Sequence, residues 1–282
     1  MAQFIIIISF ILSSLGANDK EEYRFISREL FNEDKFSHEM DVLTDFQISG
    51  FSFQGTFSGL INTKVIDNNL PGGRVNFVQE WSNVIGYNKR NDEVKQNHDA
   101  TKLNGAQFNV IIDSTGATES IEGSNDIAME MIEESESFNS LFGAENHIYP
   151  FGPDSLRQVG DVWSYSNEKN LEAKTGSDGY SGIQQSVTTV TFKKIKIKRG
   201  QKIAILKIKV ISSEEGTESS WDEIYDIKTD GEFRCTAEFN LTAGRLKQMR
   251  ASGSMKGSRT KLSNDKIMQY VQAMDIKMKR KQ

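Results

Sequence analysis

The sequence predicts a mainly β protein of the α+β class: two similar antiparallel halves of long curved strands, joined by one amphipathic helix. Three observations carry this expectation. Apolar and polar residues alternate over most of the chain after residue 30, the period of a half-buried strand. Turn-forming dipeptides separate the alternating runs. Landmarks of the first half also recur in the second at an offset close to 127.

Composition sets the outer bounds. The 282 residues suit one large domain or two ordinary ones, and 37% hydrophobic with 26% charged residues is foldable. Acidic side chains number 39 and basic ones 34, a net charge of -5, so no global basic excess favours nucleic acid. One cysteine (Cys235) excludes an internal disulfide framework, and three histidines (His38, His98, His147) are too few and too scattered for a structural zinc site. No cofactor is expected.

The first element is an address. Phe4 to Leu15 is an apolar run, followed by Gly16-Ala17 and the polar stretch Asn18 to Glu22. This is the pattern of a secretory signal peptide, here residues 1–17, cleaved near Ala17. The run is shorter than the roughly 20 residues that span a bilayer. Leu15-Gly16-Ala17 is followed by Asn18, not by a lipid-accepting cysteine. A soluble secreted or periplasmic protein is expected, with no transmembrane segment in the mature chain.

The N-terminal β half is placed at 18–124. Phe36, Met40 and Val42 alternate with Ser37, Glu39 and Asp41. Phe46 and Ile48 keep that parity until Gly50, where the phase flips to Phe51, Phe53 and Phe57; a bulge or bend within one long strand is expected there. Val75, Phe77 and Trp81 share a face after the turn Pro71-Gly72-Gly73. Asn104-Gly105 and Asp230-Gly231 read as hairpin turns.

Helix and linker occupy 125–153. Ser124-Asn125-Asp126 is a capping sequence, and Ile127, Met131, Phe138, Leu141 and Phe142 form a helical stripe, so a helix is predicted over 126–142. The C-terminal β half, 154–282, repeats the first. Ile195 and Ile197 alternate with Lys194, Lys196 and Lys198; after Arg199-Gly200, Leu206, Ile208 and Val210 alternate with Lys207 and Lys209. Cys235 falls in a strand as a small core residue. The C-terminus fits helical spacing through Ile267, Tyr270, Val271, Met274 and Met278, but alternation from Met274 onward predicts a final strand.

The recurrence is specific in order and spacing. Asp34 to Ser37 matches Asp161 to Ser164, and Gly73 matches Gly200, both at 127. Gly105 and Gly231 differ by 126, and the strand-ending Gly116 and Gly244 by 128. An internal duplication is the favoured reading.

Val159-Gly160-Asp161-Val162-Trp163 resembles the VGDxW-type motif of a family of duplicated, exported bacterial domains of unknown function. The stretch from Gly231 to Gly253 is similar to the same family. The first half keeps Asp34 and Phe36 but has Asn32-Glu33 where the second has Val159-Gly160. At fold level the resemblance implies the half-barrel superfamily of periplasmic lipid and lipoprotein carriers, and a bacterial source. It supplies no catalytic residues.

Catalytic signatures are absent: no G-x-S-x-G elbow, no phosphate-binding glycine loop, no flanked catalytic thiol, no EF-hand loop. His38 lies on an apolar strand face and reads as a packed residue. The carboxylate pairs Glu214-Glu215 and Asp222-Glu223 sit near Gly216 in an expected loop; they carry a third reading, a carboxylate-based hydrolase.

Two features carry the candidate sites. The first is a set of apolar residues able to line the inner face of a curved sheet: Phe51, Phe53, Phe57, Trp81, Met131, Phe138, Trp163 and Trp221. The second is the basic hairpin of Lys194, Lys196, Lys198, Lys207 and Lys209, a contact for an anionic surface or a solvated face protected by lysine. The leading expectation is an exported, non-catalytic envelope protein whose curved sheet holds a lipid, a lipidated protein or another apolar ligand. The alternative is a structural or protein-interaction module with a filled core and no small ligand. Oligomeric state stays open.

Overall fold

A computed structural model describes residues 21–23, 25, 35–48, 51–90, 93–112, 118–128, 156–175, 178–220 and 223–281. The expected signal peptide and most of the expected helix and linker lie outside these residues.

The described chain is nearly all strand. In order come β1 (Lys35–Ile48), β2 (Phe51–Leu70), β3 (Arg74–Arg90), β4 (Glu93–Gln96), the short helix α1 (His98–Lys102), β5 (Gln107–Ile112) and β6 (Thr118–Gly123). The second half adds β7 (Val162–Thr175), β8 (Asp178–Lys198), β9 (Gln201–Ser220), β10 (Glu223–Asn240), β11 (Arg245–Lys261) and β12 (Lys266–Arg280). All belong to one antiparallel sheet, ordered β6-β5-β3-β2-β1-β12-β11-β10-β9-β8-β7, with β4 pairing the end of β3. Because β1 pairs with both β2 and β12, the two halves share one continuous sheet. Strand β8, at 21 residues, is about 70 Å long at the usual strand rise.

The predicted β class, the turns at Pro71–Gly73 and Arg199-Gly200, and the final strand are all present. Four pairs of strands begin 127 residues apart: Lys35 and Val162, Phe51 and Asp178, Arg74 and Gln201, Thr118 and Arg245. Asn125 caps a helix that starts at residue 126; its Oδ1 accepts the Ala128 N–H at 3.0 Å.

Three local expectations are corrected. The phase flip near Gly50 is a chain reversal: β1 ends at Ile48, and β2 runs back antiparallel from Phe51. A hairpin and a bulge both invert side-chain parity, so alternation alone does not separate them. Asp230-Gly231 lies inside β10, where Gly231 faces Ser212 and Met255 on the flanking strands. Asn104-Gly105 links α1 to β5; the Asn104 side chain accepts from Val84 N at 2.7 Å and donates to Val84 O at 3.0 Å.

Registers run unbroken across the middle of the sheet, so inward side chains form transverse rows. One row reads Phe57, Val42, Ile276, Ala251, Cys235, Ile208, Val190, Trp163, from β2 to β7. Every member is buried. Each large apolar side chain so buried is stabilised by about 1.5–3 kcal/mol relative to exposure. Burial concentrates at this end of the strands, the core end. Toward the β1–β2 turn, the open end, most inward residues become half-buried or exposed, while Ile227 and Thr229 on β10 stay buried.

Tyr23 and Phe25, ahead of β1, pack into the core end. Tyr23 bridges to Arg157, and Phe25 stacks on Trp163 at 5.9 Å and meets Phe192 and Phe239 edge-on at 5.0 and 5.8 Å. The Val159–Trp163 motif builds the turn beside it. Gly160 takes φ 103, a conformation open to glycine, and Asp161 Oδ2 accepts the Gln158 N–H at 2.8 Å. Trp163 then enters the core with the Arg157 guanidinium 4.6 Å above its ring.

Candidate functional site: the open end of the inner face

The structure separates the apolar residues singled out in the sequence. Phe57 and Trp81 pack together at 5.4 Å in the core, and Trp163 is buried beneath Phe25. These three are core residues, because the inner face closes over them at the core end. Phe51 and Phe53 stand on the same face at the open end and are 62% and 41% exposed. Met131, Phe138 and Trp221 lie outside the described residues.

Around Phe51 and Phe53 the sheet carries further aromatic surface. The Phe46 ring lies 6.0 Å from Phe53 and stacks on Tyr270 at 6.1 Å. An open groove of about 440 Å³ wraps the ends of these strands, lined by Ile48, Phe51 and Tyr270 from the inner face and by Gln47, Ser52, Gln269 and Val271 from the outer one. Exposed aromatics on an inward strand face are not explained by packing, which makes this the strongest apolar candidate surface.

One transverse row crosses this surface. It runs Phe51, Ile48, Tyr270, Gly257, Thr229, Glu214, Gln184, from β2 to β8. Seven strands at about 4.8 Å spacing make it about 29 Å long. Its chemistry changes from apolar to polar along its length. Tyr270 joins the two parts: its ring lies over Gly257, and its hydroxyl shares a 2.5 Å hydrogen bond with Thr229 Oγ1.

The polar part was not anticipated. Tyr180 Oη donates to Glu214 Oε1 at 2.5 Å, and its ring covers Gly182 and Gly216. Gln184 Nε2 reaches the other Glu214 oxygen at 3.5 Å. Further out, Arg259 Nη2 donates to Glu218 Oε1 at 2.6 Å while the guanidinium lies 3.8 Å over the Tyr225 ring. Arg259 Nε is buried without an acceptor. The signal was present in the sequence: Glu214, Gly216 and Glu218 share parity on a strand. Reading Glu214-Glu215 as a loop concealed it. In β9, Glu214 faces inward and Glu215 outward, so this pair cannot act together across a cleft.

The basic hairpin lies on the outer face. Lys194, Lys196, Lys198, Lys207 and Lys209 are all exposed on β8 and β9, at the core end. They stand within a mixed-charge ladder. Lys209 pairs with Glu232 at 3.0 Å, Lys196 with Glu238 at 4.0 Å, and Lys207 Nζ donates to Thr236 Oγ1 at 2.7 Å. Hydrogen bonds from Lys209 and Arg234 hold the Glu232 carboxyl below its ordinary range.

Two buried groups have displaced titrations. His38 is enclosed on the inner face of β1, and desolvation lowers its pKa from 6.5 to about 4. Burial pushes the Cys235 thiol up to about 12, so it is a packed thiol with negligible thiolate. Among the described residues, no group of three or more His, Cys, Asp and Glu converges to hold a metal ion.

No family model matches the chain, and no curated protein matches it. Among solved structures it is similar to OccK5 (OpdH) of Pseudomonas aeruginosa, at 8% identity and a TM-score of 0.25, over 89% of this chain and 99% of that one. It is also similar to OmpF of Salmonella typhi, solved in complex with daunomycin, at 7% identity and a TM-score of 0.23, over 86% and 97% of the two chains. Likeness at these scores carries no argument about fold or activity. Among the described residues, no helix is long and apolar enough to cross a membrane.

Proposed function

We propose that this chain is an exported, non-catalytic binding protein that holds an apolar ligand along the open end of its inner face. The observation that carries the reading is the exposure of Phe51 and Phe53 on the face that the core end buries, next to a groove at the strand ends that Phe51 helps line. Covering such aromatics stabilises a complex by about 25 cal/mol per Å² of apolar area removed from water. The leader-like residues 1–17 support export to a secreted or periplasmic location. The 127-residue recurrence of strand starts supports duplication of a β unit, and the Val159–Trp163 motif supports kinship with exported bacterial domains.

A second reading, an interaction module with a filled core, has its own support. The core end is occupied by Tyr23 and Phe25, and in this reading the exposed Phe51 and Phe53 meet a protein partner and no small ligand.

A fluorescent polyene fatty acid distinguishes them. Titrated into the full chain, it should gain emission saturably, and the double variant Phe51→Ser with Phe53→Ser should bind at least about ten-fold more weakly. Absence of saturable binding to the parent protein overturns the carrier reading and leaves the module.

A further inference from the structure

We propose that the outer face of the second half, at the core end, docks on an anionic lipid bilayer. This surface lies on the other side of the sheet from the apolar site, so the proposal goes beyond the binding reading and does not depend on it.

The basic hairpin is one corner of a larger plate. The outward positions of Lys194–Lys198, Lys207–Lys209, Glu232–Glu238, Arg245–Arg250 and Asp275–Lys279 hold eleven cations and three carboxylates, in a chain of net charge -5. Two of the carboxylates are each shared by two cations. Glu232 stands between Lys209 and Arg234, at 3.0 and 2.8 Å, and Glu238 between Lys196 and Lys247, at 4.0 and 3.3 Å. Each of these triplets therefore keeps a positive charge. The third carboxylate, Asp275, is diagonal to Arg250. On the bordering strand β1, Asp41 and Glu39 face Lys277 and Lys279 and offset those two. Lys207 donates only to a neutral group, Thr236 Oγ1. Arg250 stands directly opposite Lys277 on one side and Thr236 on the other.

Edge protection explains only part of this plate. Lysine guards an exposed strand edge, and β8 is such an edge beyond Thr191, where its pairing with β7 begins at Val162. Strands β9 to β12 are flanked by neighbours on both sides, so Lys207, Arg234, Arg250 and Lys277 guard no edge. Like charges directly opposite each other destabilise a sheet, as Arg250 and Lys277 do here. An anionic layer laid over them removes that repulsion.

The spread of the charge selects the partner. Five strands make the plate about 19 Å wide at the usual strand spacing. Its cations lie on several neighbouring rows, not along one line or in a groove. A bilayer presents its anionic headgroups as a layer of that kind and attracts basic side chains within about a Debye length. A linear soluble polyanion would follow one row and leave the others uncovered.

Co-sedimentation of the full chain with vesicles tests this, using phosphatidylcholine alone and phosphatidylcholine mixed with phosphatidylglycerol. At about 0.1 M salt the chain should bind the mixed vesicles and not the neutral ones, and about 0.5 M salt should release it. The triple variant Lys194→Gln, Lys207→Gln, Arg250→Gln should bind at least about ten-fold more weakly. The triple variant Lys89→Gln, Lys228→Gln, Lys256→Gln removes the same charge from the open end of the same face and should lose less than about three-fold. Glu232→Gln should bind more tightly than the parent. Unchanged urea midpoints show that the variants are folded. Absence of binding to the mixed vesicles, equal binding to both kinds, equal loss in the two triple variants, or binding of soluble heparin without binding of vesicles overturns the proposal.

Discussion

Phe57 and Trp163 stand at opposite ends of one transverse row of eight inward side chains, each row partner set by backbone register. Both are buried, and both belong to one contiguous core cluster. That row lies wholly within the core end. The rows nearer the β1–β2 turn carry the candidate site.

Phe25 closes the second-half side of this core by packing on Trp163, Phe192 and Phe239. Truncating a buried aromatic costs about 3–5 kcal/mol, so Trp163→Ala should lower the urea midpoint by the equivalent amount. Phe25→Ala should destabilise as well. In a double-mutant cycle the pair should couple by at least about 0.5 kcal/mol. Additive effects would show that the 23–25 segment does not clasp the core.

His38 makes stability sensitive to acid. Its folded pKa of about 4 lies below the ordinary 6.5, so the unfolded chain binds the proton more readily between those values. Stability is therefore highest above about pH 6.5 and falls as pH drops toward 4, by about 3 kcal/mol in all from this group. Its cross-strand neighbour Arg280 is the charged group opposite it, and it would oppose an imidazolium. Equilibrium unfolding at pH 7, 5 and 4 measures the slope, and His38→Leu should flatten it. An unchanged slope in that variant would place the acid sensitivity elsewhere.

Legibility followed the range of the interaction. The long alternating runs were readable because burial on one face imposes period two on β1, β8, β9 and β12 locally. Three of the four paired strand starts lay next to repeated residues in the sequence; the pair Phe51 and Asp178 had no such landmark, and Gly105 and Gly231 are not equivalent, one in a turn and the other inside β10. The β1–β12 pairing that joins the halves was not, since it links Val42 to Ile276 with no local signature. Nor did parity tell Phe51 from Phe57, which share a face; only distance from the core end makes one exposed and the other buried. The polar part of the inner row was missed because Glu214 and Gly216 read locally as a turn, while their partners Tyr180 and Gln184 come from the preceding strand.

Glycines on the inner face are there for their neighbours. A Cβ on Gly257 would stand 2.5 Å from Tyr270 Oη and 2.8 Å from Lys228 O, whereas on Gly59 the nearest atom would be Val84 Cγ2 at 3.2 Å. Gly257→Ala should thus destabilise by about 1–3 kcal/mol, and Gly59→Ala by less. Thermal unfolding of the two variants gives the order; the reverse order would mean that Tyr270 does not rest on Gly257.

The outer lysines should matter little to stability. Lys209 and Glu232 are both close to half exposed, so solvent screens their attraction. Lys209→Gln should leave the urea midpoint unchanged within error at physiological salt. A clear loss would mean that the ladder is structural. Co-sedimentation of the same variant and its parent with anionic vesicles checks the other role of the hairpin.

The central claim is that the open end of the inner face carries a ligand. Native mass spectrometry of the chain, exported into a bacterial periplasm and purified gently, tests it most directly. The account predicts a reproducible adduct of lipid mass that is lost on unfolding and absent from the Phe51→Ser, Phe53→Ser variant. A bare protein mass under every gentle condition, with no uptake of added amphiphile, would contradict it.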